Sequence, residues 1–234
     1  MSSDRDGPIV TLDGPAGSGK STTAREVARR LGFRHLDSGA LYRALTYALL
    51  QGGIPEHAWP TLHVGDLRKL GVSLHPVEAG FEVRLAGRAL VSELRTADVT
   101  SRVAGLAKLP AARACLLELQ RQAGASGRLI ADGRDMGTVV FPHAEVKVFL
   151  VADLRERARR RLRETGAEFV NEDHMSAQAD AIAARDDEDS GRDHSPLRRA
   201  EDAVEIDTTG LTFDDQVEWI VALVRAVDAP QGPA

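Results

Sequence analysis

Residues 9–31 read IVTLDGPAGSGKSTTAREVARRL, and this stretch decides how the chain folds. Ile9-Val10-Thr11-Leu12 is a β-branched, apolar run of strand type, whereas Ala24, Val27, Ala28 and Leu31 recur at helical spacing. Between strand and helix, Gly14, Gly19, Lys20 and Ser21 complete the spacing G-x-x-x-x-G-K-[ST] of a phosphate-binding loop. Glycines at 14, 17 and 19 let successive backbone N–H groups turn inward at the positive end of a helix, where phosphate oxygens are held. In this reading Lys20 reaches the β- and γ-phosphates of a nucleotide and the Ser21 hydroxyl ligates Mg²⁺.

The rest of the composition narrows the class. A chain of 234 residues suits one α/β domain with insertions, and it is long enough to bury a sizeable core. A net charge of −5 argues against a general nucleic-acid footprint. Cys115 is the single cysteine, which excludes an internal disulfide and reads as a small core residue on an apolar helix face. The polar start lacks a signal-peptide core and no apolar run approaches a membrane span, so a soluble, cytoplasmic protein with no membrane or nucleic-acid partner is expected, by default a monomer. The seven histidines are scattered, which speaks against structural zinc, and no G-x-S-x-G elbow supports serine hydrolase chemistry.

Outward from the loop, strand and helix patterns alternate. Residues 33–36 read as a short strand leading to Asp37-Ser38-Gly39, followed by a helix over 40–50. Residues 72–91 alternate apolar and polar with turn signals at 78–80 and 86–87, a small antiparallel hairpin or meander inserted into the core pattern. Residues 96–122 read as helix broken at Pro110, 128–132 and 146–151 as core strands, 153–163 and 176–185 as helices, and 204–207 as a last strand. Thr212 caps a final helix that turns Phe213, Val217, Ile220, Val221 and Val224 to the core, and the tail from 228 is expected to fray. The expected fold is therefore α/β: a P-loop NTPase-like parallel sheet with helices on both faces and right-handed crossovers. Ligands of such sheets bind beyond the carboxyl ends of the strands, which is where residues 14–21, 37–38 and 132–135 fall.

Two constellations there carry chemistry. Asp132 ends an apolar strand, where a carboxylate helps hold Mg²⁺ in phosphate-loop proteins. Beside it, Arg134 offers a bidentate phosphate clamp and Asp135 an acceptor suited to an exocyclic amine such as cytosine N4. The segment 155–163 carries six arginines, of which Arg157, Arg160 and Arg161 share a helical face, and Arg185 and Arg192 follow further on. Arginines can neutralise the oxygens of a phosphoryl group in transit, and on a mobile segment they can expel water. The run Asp186-Asp187-Glu188-Asp189 reads as a solvated face with Asp189 the exception.

Taken together, these residues resemble the bacterial-type cytidylate kinases, nucleoside monophosphate kinases of the P-loop class. The matching segments are Gly14 to Thr22, LDSGALYR at 36–43, ELRT at 93–96, DGRDMGTVVFP at 132–142, and Arg185-Asp186 with Asp189, Arg192, Pro196 and Leu197, in order over about residues 8–226. The resemblance implies transfer of the γ-phosphoryl group of ATP, with Mg²⁺, to CMP or dCMP. It implies ATP contacts from Gly14, Pro15, Ala16, Gly17, Ser18, Gly19, Lys20, Ser21 and Thr22, with Ser21 and Asp132 at the metal. It gives the CMP phosphate to Ser38, Arg43 and Arg134, the cytosine ring to Asp135 and Arg113, and the sugar and phosphate side to Asp189 and Arg192, with Arg185 also among the substrate-binding residues. Arg157, Arg160 and Arg161 resemble lid arginines, residues of about 155–192 a lid, and about 38–110 an inserted monophosphate-binding subdomain. Where members of the family carry a base-contacting serine, this chain has Ala104, with Ser101 nearby. A GTPase is disfavoured because no N/T-K-x-D guanine reader follows a late strand, and a non-catalytic nucleotide- or nucleic-acid-binding module is the class alternative, whose basic helix would show salt-dependent DNA affinity where a kinase would turn over.

Overall fold

The computed structural model describes residues 6–164 and 171–228, so the tail expected to fray, beyond 228, and part of the expected lid lie outside the described residues. Strand β1 (Ile9–Asp13) runs into the phosphate loop and helix α1 (Lys20–Leu31), which ends at Gly32 in the left-handed conformation. β2 (Arg34–Asp37) leads directly into α2 (Ser38–Gln51), and the Asp37 side chain caps that helix by accepting from the Ala40 N–H. The helix thus begins two residues earlier than the apolar periodicity indicates. A short α3 (Val64–Lys69) precedes β3 (Val72–Val77), β4 (Gly80–Leu85) and the two-residue β5 (Arg88–Ala89). Then come α4 (Ala97–Ala107) and α5 (Pro110–Ala123), parted at Pro110, whose missing N–H is harmless in a first turn.

β6 (Leu129–Asp132), β7 (Val146–Val151), α6 (Leu154–Glu164), α7 (Glu172–Ser190), β8 (Val204–Asp207) and α8 (Phe213–Asp228) complete the chain. Strand order is β3-β4-β2-β6-β1-β7-β8, with β5 paired to β4. The run from β2 to β8 is parallel, which places every strand's carboxyl end on one side. Both faces are covered, as parallel sheets require. Ile9, Leu129 and Ala131 pack with α2, α4 and α5 in one cluster, while their alternating neighbours Val10, Leu12 and Ile130 pack with α1 and α8 in another. Cys115 is buried in the first cluster. Among the described residues, no helix is long and apolar enough to cross a membrane.

One local expectation is extended and two change. The antiparallel hairpin forms as expected, and the structure adds that it joins the main sheet through the parallel pair His35↔Gly80. α7 is nineteen residues long, because Asn171 caps it at the His174 N–H and no breaker occurs before Gly191, so the acidic run lies inside the helix. Thr212 does cap α8 by accepting from the Asp215 N–H, but Phe213 is 45% exposed because it lies off the face formed by Val217, Ile220, Val221 and Val224.

Gly80 has φ of +156°, and a Cβ there would lie 2.5 Å from the His35 carbonyl oxygen. Gly80→Ala is therefore expected to cost about 2 kcal/mol or more in urea unfolding and to expose β3 and β4 amides to early hydrogen exchange. Unchanged exchange in that hairpin would show that the pair does not anchor it.

Candidate active site

The phosphate loop is built as its glycines demand. Gly14, Gly17 and Gly19 all have positive φ, and a Cβ on Gly14 would lie 2.1 Å from the Leu150 carbonyl oxygen of β7. Pro15 and Gly17 are half-buried, Ala16 and Ser18 are buried, and Thr22 is exposed in the first turn of α1. Lys20 is 5% exposed and donates to the Pro15 carbonyl at 2.6 Å and to Ser18 Oγ at 3.3 Å. Burial drives its ammonium well below the ordinary lysine range, helped by Arg134 and opposed by Asp132 and Asp13. The loop is braced from behind by Thr23, which donates to the Gly19 carbonyl and accepts from buried Gln216 of α8.

The carboxylates at the strand ends are distributed among different partners. Asp132 accepts from Ser21 through one oxygen and lies 2.6 Å from His35 Nε2 through the other. Asp13 accepts from the N–H groups of Met136 (2.9 Å) and Gly137 (2.7 Å), in the single wide π turn over Met136–Val140. That fastens the loop after β6 to the end of β1. Burial, with Asp132 next in importance, raises the Asp37 carboxyl. Ser21 and Asp132 are hard oxygen donors of the kind Mg²⁺ takes, and among the described residues no three His, Cys, Asp or Glu side chains form a cage. The donor set therefore fits an ion bound by one or two protein groups plus substrate phosphates.

The arginines converge from four elements. Arg43 on α2 donates to the Leu94 carbonyl and to Thr100 Oγ1 at 3.0 Å. Arg134 Nε donates to Asp189 at 2.8 Å, and Arg192 donates to the other oxygen of the same carboxylate. Burial and then Arg134 push Arg185 down to about 10, with Arg43 and Arg161 adding to the effect. The Nε atoms of Arg185 and Arg192 are buried without an acceptor among the described residues. So many guanidinium groups in mutual repulsion make a strong anion site. Ser38 is buried beside it, and a Cβ on Gly133 would lie 2.6 Å from Ser38 Oγ. Next to the cluster Arg113 donates to Asp135 and stacks over the Tyr42 ring at 5.5 Å, so the two residues expected at a base are already paired. Ala104 is half-buried on α4, whereas Ser101 is exposed and donates to the Asp98 carbonyl of its own helix.

The three arginines grouped on α6 part company. Arg157 is 9% exposed and donates to the carbonyls of Ala152 and Ala16 and to Asp186. Arg160 turns to the Ser18 carbonyl and to Thr208. Arg161 donates to Glu164 at 2.9 Å, and its charge is felt by Arg43 and Arg185. Asp186, expected on a solvated face, instead accepts from the Ala16 N–H at 2.8 Å, while Asp187 and Glu188 are exposed as expected. Sequence reasoning gave no site role to Asp13, His35, Tyr42 or Gln216 and read Asp186 as part of a solvated face. The signals were position and motif: Asp13 ends β1, and Tyr42 and Asp186 lie inside the matching segments LDSGALYR and Arg185-Asp186.

Burial raises the Asp13 carboxyl to about 6 against the pull of the Gly137 and Met136 amides. The folded state then binds this proton more tightly than the unfolded chain, whose carboxyl titrates at 3.8. The group's contribution to stability is expected to fall as pH rises between those two values and to stay level above them. Carbon-13 NMR of labelled aspartate carboxyls reads the midpoint directly; one near the unperturbed carboxylate value of about 3.9 would contradict the assignment.

Comparison with known proteins agrees with this geometry. The family model described as cytidylate kinase matches residues 10–226. The cytidylate kinase of Anoxybacillus flavithermus is 43% identical over 216 residues, covering 92% of this chain and 95% of that protein. That of Exiguobacterium sp. is 41% identical over 220 residues, covering 94% and 97%. A bifunctional pantoate ligase/cytidylate kinase from Synechococcus sp. is 44% identical over 220 residues; the match covers 93% of this chain but 43% of that longer protein. With the match running nearly from end to end and the phosphate loop, the strand-end carboxylates and the arginine cluster all in place, the chain belongs to the cytidylate kinase family.

Proposed function

We infer that the protein transfers the γ-phosphoryl group of ATP to CMP or dCMP, giving CDP or dCDP and ADP. The observation that carries this reading is a pair of anion sites on one sheet edge: the phosphate loop with Lys20, and the cluster of Arg43, Arg134, Arg161, Arg185 and Arg192. One suits a triphosphate on a helix N-terminus, the other a separate monophosphate. The acceptor is already an oxyanion, so no general base is needed, and catalysis is alignment plus charge neutralisation.

In this reading residues 14–22 hold the donor phosphates through Lys20 and through backbone N–H groups other than that of Ala16, which Asp186 takes, and Ser38, Arg43, Arg134 and Arg185 hold the acceptor phosphate. Ser21 and Asp132 would hold Mg²⁺, which when bound neutralises charge on the donor phosphates. Arg113 and Asp135 face the base. The carboxylate accepts from the cytosine amine and repels the carbonyl that uracil carries in its place, a mismatch that discriminates by about a hundredfold or more. Asp189 orients Arg134 and Arg192 from behind, which suits a place near the sugar and phosphate. Arg160 and Arg161 would approach the group in transit when α6 and α7, the larger part of the 155–192 lid, close over the donor. The 38–110 segment, with its hairpin, would be the monophosphate-binding subdomain. A cytoplasmic monomer belongs to the same proposal.

A coupled ADP-release assay with ATP and Mg²⁺ tests it against CMP, dCMP, UMP and AMP. CMP and dCMP are expected to accelerate release far more than the others, and no acceleration by CMP would overturn the reading. Arg134→Ala is expected to raise KM for CMP by about ten- to a hundredfold, the worth of a charge-assisted hydrogen bond. An unchanged kcat/KM for CMP would remove Arg134 from the acceptor site. Lys20→Ala is expected to lower kcat by about a thousandfold in a protein that still melts cooperatively; wild-type turnover in that variant would remove Lys20 from the reaction.

A further inference from the structure

The contacts around Ala16 form a closed ring. Its N–H donates to Asp186 Oδ1 at 2.8 Å, its carbonyl accepts from Arg157 at 3.1 Å, and Arg157 donates to the other oxygen of Asp186. Its methyl group is buried with Ala158 of α6 and with Met175 and Ile182 of α7. One residue of the phosphate loop is therefore held by α6 and α7 through both its polar groups and its side chain. The helix that does this also carries the acceptor side: Arg185 precedes Asp186, Asp189 lies one turn on, and Arg192 follows just past the helix end. Within a helix three residues span about 4.5 Å without play, so the loop and the acceptor groups are ends of one short rigid lever.

We propose that Asp186 is a positioning residue that couples the two nucleotide sites, clasping Ala16 so that filling the phosphate loop sets α7, and with it Arg185, Asp189 and Arg192, in place for the acceptor. The proposal rests on the kinase reading above and adds to it a residue that touches neither nucleotide. If Asp186 served only to neutralise Arg157, its loss would lower stability or both affinities alike and leave the coupling between them intact. A clasp predicts the reverse, and coupling must be equal measured from either ligand.

Calorimetric titrations of wild type, Asp186→Ala and Asp186→Asn test this, with CMP and a non-hydrolysable ATP analogue, each alone and in the presence of the other. The wild type is expected to bind CMP more tightly when the analogue is bound. In Asp186→Ala that ratio is expected to fall about tenfold or to one, the factor that one charge-assisted hydrogen bond supplies. Asp186→Asn can still accept from the Ala16 N–H and is expected to lie between. A wild-type ratio of one, or the wild-type ratio retained in Asp186→Ala, overturns the clasp. Should Asp186→Ala fail to fold, an intermediate ratio in Asp186→Asn supports it and the full wild-type ratio overturns it. A wild type that binds neither nucleotide would overturn the kinase reading itself and the clasp with it.

Discussion

Three aspartates stand side by side at the carboxyl edge of the sheet, and the site is arranged around the cost of keeping them there. β2, β6 and β1 are neighbours and each ends in a carboxylate: Asp37 lies opposite Asp132, and Asp13 follows the Leu12 that also lies opposite Asp132. Adjacent strands are about 4.8 Å apart, so the repulsion is strong in a buried setting. Each carboxylate is stabilised differently. Asp37 is tied to a helix start, Asp132 to a hydroxyl and an imidazole, and Asp13 to two backbone amides. Lys20 lies within the field of Asp132 and Asp13, which explains why so deeply buried an ammonium is tolerated.

The same edge divides into two chemical halves. On the α1 side backbone amides and one lysine present positive charge without long side chains. On the α2, α5 and α7 side the positive charge is all guanidinium, and its members repel one another enough to lower Arg43, Arg185 and Arg192, although burial comes first in each case. Asp189 is the counterweight: burial would raise it, but Arg134 and Arg192 hold it below the usual carboxylate range. A preformed anion site of this type costs stability and gains it back when a phosphate enters.

Much of this was legible in the sequence because it is carried by local patterns. The apolar run of β7 and the alternating Val-Glu-Ile-Asp of β8 set those strands to the residue, and the glycine spacing set the loop. Arg113 and Asp135, twenty-two positions apart, were paired only through resemblance, and the structure brings them into contact. What could not be read depended on distant partners. Nothing local to Asp186 says that it reaches a loop amide 170 residues away, nor that the neighbouring Asp187 does not. Arg157, Arg160 and Arg161 share a helical face by spacing, yet their long side chains reach different carbonyls and carboxylates because the surroundings of each differ. The hairpin's junction with the main sheet rests on one glycine, and a single pair leaves no periodic trace.

The wide turn over Met136–Val140 has a further consequence. Val140 N donates to the Asp135 carbonyl and Phe141 N to that of Met136, five residues apart, which amounts to a helical turn with one residue too many. That surplus residue acts as a phase shifter. Asp135, just before the turn, accepts from Arg113, while Met136, Val140 and Phe141 are buried in the core. The turn converts a fixed core anchorage into a fixed aim, so the angle at which the acceptor groups point is set by hydrophobic packing and not by the flexibility of a loop.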